Sequence, residues 1–459
     1  MRTTLQITVP ATAHIKQRLL AWAQQYREVV FFDSNNYQRQ YAEYDAVLAV
    51  DAFTSIITDY HKAFEDLAVY RKTTADWIFG YLAYDLKNDT EVLQSNNFDG
   101  LGFADLFFFQ PKKIFLLKGD VLELRYLAMC DDEMESDLEE ITNYELGITN
   151  LEFRSENLEF RSETGEGQPT TDNHQPSTIR QRISKESYLD KAAQMLAHIH
   201  RGDIYEANLC MEFYAEDAVI DALETYNKLN ALSEPPFAVF LKNYKHYLLS
   251  ASPERYLKKE GSKVISQPIK GTARRSNDSA EDEAIKAALA ANEKERAENI
   301  MIVDLMRNDL SHTAEKGSVK VEELCVPYTF KQVHHLISTV VAEVADDVWA
   351  EDILKTTFPM GSMTGAPKIS AMQIIEKLEE TKRGLYSGAV GYFTPEGDFD
   401  FNVVIRSILY NESEKYISFS VGSAITAEAV PENEYEECLL KANAMRQVLE
   451  ATMTNATRQ

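Results

Sequence analysis

A polar tract in the first half of the chain is the feature that most constrains the fold. The heptapeptide NLEFRSE occupies residues 150–156 and recurs unchanged at 157–163, and a stretch rich in Gly, Pro and Thr follows. Segments of this composition do not bury enough apolar surface to offset the conformational entropy that ordering costs. We therefore expect a flexible acidic and polar linker at 146–180 between an N-terminal α/β region, 1–145, and a C-terminal region, 181–459.

The segments on either side of the linker mix strand-like and helical patterns. After the linker, the run SKESYLDKAAQMLAHIHRGD has apolar residues at helical spacing and stops near Gly202. Short apolar runs at 387–393 and 401–410, joined by a loop that contains Gly397, predict a hairpin. The pattern favours an α+β fold with large antiparallel sheets flanked by helices.

The charge balance argues against one class of partner. The 459 residues include 47 Lys and Arg against 73 Asp and Glu, a formal net charge of −26. Because neutralising phosphates needs clustered Lys and Arg, we expect neither nucleic acid nor an anionic membrane as the main partner. The 22 Phe and 23 Tyr are too many for an unfolded acidic chain.

Cysteine usage and hydropathy predict the compartment. The four cysteines are far apart and form no CxxC pair, a pattern typical of a reducing environment. The N-terminal sequence lacks the apolar core of a signal peptide, and no apolar run approaches the roughly 18–20 residues that span a bilayer. We expect a cytoplasmic protein.

Two acidic pairs on predicted helices are candidates for a metal site. Glu295 and Glu298, and likewise Glu434 and Glu437, are three residues apart, which places each pair on one helix face. Two such faces brought together would offer the oxygen ligands that Mg²⁺ prefers. The alternative is that both pairs are solvated surface, the commoner origin of such spacing in an acidic protein.

A glycine-rich loop opens another predicted helix. In FPMGSMTGAPKISAMQIIEKLE, residues 358–379, Gly361, Gly365 and Pro367 mark a tight loop, and Lys368 follows. Backbone N–H groups at such a helix start attract anions such as carboxylates. The loop lacks the Lys-Ser or Lys-Thr of a nucleotide-binding loop, and a purely structural turn is the alternative.

Four further residues carry charged or titratable groups beside apolar residues. Lys270 lies between Ile269 and a glycine, where burial would lower its pKa and make it a nucleophile, or it is a solvated turn lysine. His334 and His335 enter a strand, so that alternation points one ring inward and one out. One of the two is an acid–base candidate, and a buried, hydrogen-bonded structural histidine is the alternative. Arg406, within the predicted strand NVVIRSI, suits a carboxylate ligand or a buried partner.

Nine motifs, in this order, resemble those of the chorismate-utilising enzymes, which include the anthranilate, aminodeoxychorismate, isochorismate and salicylate synthases. They are GDIYEANL, SPERYL, QPIKGTARR, KERAENIMIVDLMRNDL, VHHLIS, FPMGSMTGAPK, GLYSGAVGY, NVVIRS and NEYEEC. The resemblance covers roughly residues 180–455 and implies a fold like that of anthranilate synthase component I. It makes the C-terminal region the chorismate-binding catalytic region.

The resemblance also implies a site. Glu298 and Glu437 would bind Mg²⁺ directly, and Glu295 and Glu434 would support it through waters. The residues implied in binding chorismate are Tyr386, Arg406, Gly422, Thr364, Gly365, Lys368 and Thr272. The residues implied in catalysis are the nucleophile Lys270, the general acid Glu254, and His335 beside the reacting ring.

One position favours a branch of the family. Anthranilate synthases have PIAGT where this chain has PIKGT, and the lysine is typical of aminodeoxychorismate synthase component I, also called para-aminobenzoate synthase component I. The resemblance therefore implies amination at C4 through a covalent intermediate on Lys270, a transaminase-type transfer. Anthranilate synthase and, less favoured, isochorismate synthase are the alternatives. A non-catalytic scaffold would be expected to lack the catalytic and metal-binding residues, which this chain has.

Glu206 departs from the family pattern. Relatives that transfer an amine usually have glutamine at this position of GDIYEANL, and isochorismate and salicylate synthases have a lysine base. We expect Glu206 to be a hydrogen-bonding residue at a helix–strand junction rather than a catalytic one.

The resemblance implies partners as well. Ammonia would come from a separate glutamine amidotransferase subunit, since none of the four cysteines lies in a glutaminase nucleophile elbow. A separate lyase would then release p-aminobenzoate for folate biosynthesis. The segment FFDSNN, residues 31–36, only loosely matches the tryptophan-binding motif of the family, so tryptophan feedback is not expected.

Overall fold

The computed structural model describes residues 1–9, 14–37, 40–144, 178–331 and 333–456. The predicted linker at 146–180 lies outside these residues except for its last three. Within the described ranges the helices are α1 His14–Ala23, α2 Ala63–Thr74, α3 Lys87–Thr90, α4 Met134–Asn143, α5 Lys185–Arg201, α6 Ala222–Ser233, α7 Ser279–Ala291, α8 Glu293–Ser311, α9 Ala350–Thr357, α10 Lys368–Leu378 and α11 Pro431–Ala456.

Twenty strands lie in the same described ranges. They are β1 Arg2–Thr8, β2 Glu28–Asp33, β3 Ala46–Thr58, β4 Ile78–Leu82, β5 Leu106–Lys118, β6 Val121–Leu127, β7 Arg180–Gln181, β8 Glu206–Ala215, β9 Phe237–Asn243, β10 His246–Ser252, β11 Arg255–Glu260, β12 Lys263–Gln267, β13 Ile269–Arg274, β14 Lys320–Thr329, β15 Val333–Glu343, β16 Gly365–Ala366, β17 Ala389–Phe393, β18 Phe399–Val403, β19 Ser407–Asn411 and β20 Tyr416–Thr426.

These strands form one branched sheet whose pairings are all antiparallel. The branch is at β5, which pairs with β3 along one side and with β6 and β4 along the other. The first arm runs from β3 through β2, β9, β10, β19 and β20 to β8. The second arm runs from β4 through β17, β18, β11 and β12 to β15. Both arms therefore contain strands from before and after the predicted linker.

The alternation of side chains along the first arm supplies two cores. Val29 and Phe31 of β2 point into a core that the first arm shares with α1, α4, α5, α6, α10 and α11. Val30, the residue between them, points into the second core, which lies between the arms and includes residues of α2, α8 and α9. Successive strand residues face opposite sides, so the first arm is covered on both faces. The predicted α+β fold with large antiparallel sheets and flanking helices is confirmed.

Local signals place several elements where the sequence predicts them. The side chain of Ser184 accepts a hydrogen bond from the backbone N–H of Ser187 at the start of α5, as expected of an N-cap. Gly202 ends the same helix with φ +88°, a conformation that glycine adopts at little cost. The predicted hairpin forms between β17 and β18.

The second strand of that hairpin is shorter than predicted. It ends at Val403, and β19 begins at Ser407 and pairs with β10 instead. Between them Arg406 has φ +53°, which breaks the ladder, since such a residue does not continue a strand. The expectation that Arg406 lies within a strand is therefore wrong. The break was hidden because the residues on both sides are equally apolar.

No helix in the described ranges is both long enough and apolar enough to cross a membrane.

Candidate active site

The two acidic pairs lie in the opening turns of α8 and α11. Asn292 caps α8 by accepting a hydrogen bond from the N–H of Glu295 at 3.1 Å. The ammonium of Lys294 lies 3.9 Å from both Glu298 Oε1 and Glu434 Oε1 and so bridges the two helices. Acidic side chains near a helix N-terminus are favoured by the helix dipole. The structure therefore brings the predicted metal ligands of both helices to one place.

Burial raises the pKa of three of the four carboxyls. It raises that of Glu298 to about 7 and also raises those of Glu295 and Glu434, with neighbouring carboxylates adding to the effect. Ser423 donates a hydrogen bond to Glu434, which is 5% exposed. The alternative of a solvated acidic surface therefore does not hold for Glu434.

Glu437 behaves differently because a cation lies beside it. Its burial disfavours the charged form, but Lys441, 2.6 Å away, outweighs that effect and lowers the pKa of Glu437. Lys441 also donates to the backbone carbonyl of Gly422 at 2.8 Å. The lysine thereby fastens α11 to β20 next to the acidic pair.

The acidic cluster is open rather than a closed cage. Across the ranges that the structure describes, no three His, Cys, Asp or Glu side chains converge as a ready metal site. Mg²⁺ usually keeps several waters and takes few carboxylates directly, so an open group of oxygen donors fits it. The raised pKa values of Glu295, Glu298 and Glu434 also fit, because a divalent cation would favour the charged form that burial and the neighbouring carboxylates disfavour.

Lys270 forms an ion pair with Glu206. Its ammonium on β13 lies 3.0 Å from Glu206 Oε1 on β8, and the two side chains are 14% and 1% exposed. Burial works to lower the pKa of Lys270, but Glu206, Glu298 and Glu437 outweigh it and raise that pKa above its ordinary value. The expectation that burial alone would make Lys270 a neutral amine is therefore wrong, because the fold surrounds it with carboxylates.

Glu254 is buried between β10 and β11. Burial raises its pKa to about 7, although hydrogen bonds with Ser362 and with the backbone at Ile269 and the nearby charge of Lys270 act in the opposite direction. A carboxyl of this kind still holds its proton near neutral pH, which a general acid requires.

His335 and Thr272 face each other across the β13–β15 pairing. Thr272 Oγ1 and His335 Nδ1 are 2.9 Å apart, and His335 lines a cavity that also contains Arg406 and Lys441. His334 is buried as well, held by Thr329 and by Asp282 of α7. The prediction that one of the two rings points outward to solvent is therefore wrong, because α7 covers His334.

Arg406 lies at the break between β18 and β19. Within the described ranges its guanidinium forms no ion pair or hydrogen bond with another side chain, and burial lowers its pKa. A guanidinium in that position is ready for an anionic ligand. The neighbouring Tyr386 is 4% exposed, and its hydroxyl lies 3.8 Å from Cys210 Sγ.

Gly422 of β20 leaves no space for a side chain. A Cβ at this position would lie 2.5 Å from Cys210 Sγ. The glycine therefore allows β20 to lie close to Cys210 at the edge of the site.

The glycine-rich loop is packed against β8. Gly365 pairs with Ala207, and a Cβ on Gly365 would lie 2.2 Å from the carbonyl oxygen of Glu206. Thr364 is fully buried, and its hydroxyl bonds to carbonyls of its own turn. Lys368 donates to Asp309 at 2.6 Å. The loop thus reaches the Lys270–Glu206 pair through Gly365, whereas the ammonium of Lys368 is held by α8.

Sequence reasoning missed two contributors to this site. Lys441 follows Glu437 by four residues on one helix, a spacing at which opposite charges meet, so this contact could have been predicted. The pairing of Glu206 with Lys270 joins residues 64 positions apart, and nothing local indicates it.

A sequence model of the family described as chorismate binding enzyme matches residues 15–447. Aminodeoxychorismate synthase component 1 of Salmonella typhimurium is 40% identical over 271 residues, which are 59% of this chain and 59% of that protein. Anthranilate synthase component 1 of Aquifex aeolicus is 35% identical over 271 residues, 59% of this chain and 54% of that protein. The matches thus span little more than half the length of these relatives.

Solved structures share the fold. The crystal structure of anthranilate synthase component I from Streptococcus pneumoniae superposes with a TM-score of 0.71 at 23% identity, covering 89% of this chain and 93% of that chain. The menaquinone-specific isochorismate synthase MenF of Escherichia coli gives a TM-score of 0.71 at 18% identity, with 98% and 95% covered. The predicted likeness to anthranilate synthase component I is confirmed for the fold. With the family model matched over residues 15–447, the chain belongs to the chorismate binding enzymes.

Proposed function

We propose that this enzyme aminates chorismate at C4 to give 4-amino-4-deoxychorismate, through a covalent intermediate on Lys270. The observation that carries the proposal is the position of Lys270: a lysine beside Glu254, whose pKa burial raises to about 7, and close to the acidic pairs of α8 and α11. A nucleophile next to a protonated acid is the arrangement that covalent displacement of a poor leaving group requires. Relatives named aminodeoxychorismate synthase, 40% identical, support it.

Arg406 and Tyr386 bind the carboxylate of the enolpyruvyl side chain in this proposal. The guanidinium of Arg406 borders the cavity and has no anionic partner among the described side chains. Backbone amides near Gly422 and the loop with Thr364 and Gly365 enclose the rest of the substrate. Thr272 orients His335 beside the ring through their 2.9 Å contact.

Mg²⁺ belongs to the proposal because the acidic cluster suits it. Glu298 and Glu437 would hold the ion directly, and Glu295 and Glu434 through waters. Bound there, it would neutralise the ring carboxylate of chorismate. The ammonium of Lys294, 3.9 Å from Glu298 and from Glu434, supports a preference of this cluster for positive charge.

The side chains of this chain supply two displacements. The amine of Lys270 attacks C2, the ring double bonds shift, and the C4–O bond breaks; Glu254 gives its proton to the departing oxygen, which leaves as water. Ammonia then adds at C4, the double bonds shift back, and the C2–N bond to Lys270 breaks. Two displacements with a covalent intermediate replace one difficult substitution.

Ammonia would come from a glutamine amidotransferase subunit, and the product would enter p-aminobenzoate and folate biosynthesis. The component 1 naming of the relatives supports a partner subunit. The reaction is of the transaminase type. We place it in the cytoplasm, which fits the four cysteines, all of them free thiols and buried.

Product identification tests the proposal. The enzyme is incubated with chorismate, Mg²⁺ and an ammonium salt, and the products are identified by mass spectrometry. We expect 4-amino-4-deoxychorismate; anthranilate with pyruvate, or isochorismate, would replace the proposal by the corresponding alternative. Lys270→Ala should abolish the product, and undiminished product from that variant would exclude the lysine step.

A further inference from the structure

The carboxylate of Glu206 is buried, and one of its two oxygens accepts no hydrogen bond from a described residue. Oε1 accepts the hydrogen bond from Lys270 at 3.0 Å. Oε2 is buried and has no hydrogen-bond partner among the described residues. Water does not reach it freely either, because Glu206 as a whole is only 1% exposed. A buried polar atom without a partner is costly in a folded protein and calls for an explanation, of which a chemical role is one.

The charge state of Lys270 creates the need for a proton acceptor. Its resting form is the ammonium, because Glu206, Glu298 and Glu437 outweigh burial and raise its pKa. An ammonium has no lone pair with which to attack carbon. One proton must therefore leave Lys270 before the displacement that the proposed function assigns to it.

The charged groups that face Lys270 leave one candidate. Glu295 and Glu298 of α8 and Glu437 of α11 are assigned to the metal, and Glu254 must keep its own proton for the leaving oxygen. Lys441, also on α11, is a cation. Glu206 alone of these groups hydrogen-bonds to Lys270 in the described structure.

Resting on the proposed function, we infer that Glu206 is the base that takes a proton from Lys270 and later returns it. Lys270 gives one proton to Glu206, and its lone pair forms the N–C2 bond as the C4–O bond breaks and Glu254 protonates the oxygen. When ammonia adds at C4, the C2–N electron pair returns to Lys270. Glu206 then gives back its proton, and the new C4 ammonium reprotonates Glu254. Glu206 is thus a working acid–base residue, contrary to the expectation from its position alone.

The pH dependence of adduct formation on Lys270 tests whether Glu206 takes the proton. In the parent enzyme the proton moves within the pair, so the rate of adduct formation is independent of pH below about 7 and falls above it as Glu254 ionises. In Glu206→Gln the proton must go to solvent, and the rate should rise about tenfold per pH unit below pH 7. Chorismate and Mg²⁺ are mixed without ammonia, and the adduct on Lys270 is followed by mass spectrometry.

Matched variants separate the outcomes. Glu206→Asp keeps the charge and should keep the flat profile at a reduced rate; circular dichroism checks that both variants fold. A Glu206→Gln enzyme with the rate and flat profile of the parent overturns the inference. So does an unchanged adduct profile combined with a raised KM for ammonium, which would make Glu206 an ammonium-binding residue. Parent enzyme that forms no 4-amino-4-deoxychorismate refutes the proposed function itself, and parent enzyme that forms it without a Lys270 adduct refutes the lysine step and this inference with it.

Discussion

The ammonium of Lys368 lies 2.6 Å from Asp309 Oδ2, in an ion pair that ties the first turn of α10 to the last turn of α8. The two side chains are 14% and 7% exposed, and Lys368 also donates to the carbonyl of Thr357 at 3.1 Å. The lysine that the sequence assigns to the substrate is therefore engaged in holding two helices that border the site.

Removal of one partner of this pair should destabilise the protein. Asp309→Asn leaves a largely buried ammonium without its counter-charge, which costs about 3 kcal/mol or more; urea denaturation measures it. The matched control is Glu450→Gln, which breaks the exposed Arg446–Glu450 pair on α11, with side chains 50% and 54% exposed, and should cost less than about 1 kcal/mol. Unchanged stability in Asp309→Asn, with a raised KM for chorismate in Lys368→Met, would instead support the substrate role.

Glu254 should set the alkaline limb of the rate. Its pKa of about 7 means that the protonated acid is lost above neutral pH, so kcat/KM should fall about tenfold per pH unit above pH 7. Glu254→Gln should be nearly inactive and lack this limb. A parent profile that stays level to pH 9 would remove Glu254 from the role of general acid.

The same carboxyl should make folding stability depend on pH. Burial raises the pKa of Glu254 from 4.5 to about 7, so its contribution to stability is fully present below pH 4.5 and is lost as pH rises towards 7. The loss is about 3 kcal/mol, and Glu254→Gln should remove that part of the pH dependence of the free energy of unfolding. Equal slopes in parent and variant between pH 5 and 7 would contradict this assignment.

Gly422 and Cys210 should behave as a coupled pair. Gly422→Ala places a Cβ 2.5 Å from Cys210 Sγ, and such overpacking costs about 1–3 kcal/mol. Because the carbonyl of Gly422 holds Lys441, which lines the cavity beside Arg406, the KM for chorismate should rise as well. The double variant with Cys210→Ala removes the sulfur and should recover most of both losses; additive losses would mean that the two positions are not in contact.

Carboxylates of the acidic cluster should contribute to Mg²⁺ affinity, whereas an exposed carboxylate next to the cluster should not. Glu298→Gln should weaken Mg²⁺ at least as much as loss of an outer-shell partner does, which is roughly 10- to 100-fold, as measured by calorimetric titration. Glu436→Gln is the control: Glu436 adjoins Glu437 on α11, but its side chain is 61% exposed and pairs with Lys185. Equal loss of affinity in both variants would place the ion elsewhere.

Signals that lie within one element were predictable from the sequence. The helix after the linker has an apolar stripe, a serine cap and a glycine stop, so its ends followed from local chemistry. The pairs Glu295–Glu298 and Glu434–Glu437 were found because a helix fixes the spacing of its side chains. Their meeting at one cluster came from the family resemblance.

Properties that depend on contacts between distant segments were not predictable. The charge state of Lys270 depends on Glu206, 64 residues away, and on carboxylates of two helices, so an argument from its own neighbours gave the wrong direction. The strand break at Arg406 is a single left-handed residue inside an apolar run, and an apolar run looks the same with or without it.

The pairing of β4 with β17 sets the order in which the molecule can be completed. It joins Ile78 to Phe393, so β4 leaves the ribosome long before its neighbour is synthesised. Until then one edge of β4 has free backbone groups, and exposed edges of this kind invite pairing with other chains. The acidic surplus of the chain, −26 overall, therefore also matters during synthesis. Like-charged nascent chains repel one another, which opposes pairing at the exposed edge of β4 until β17 has been synthesised.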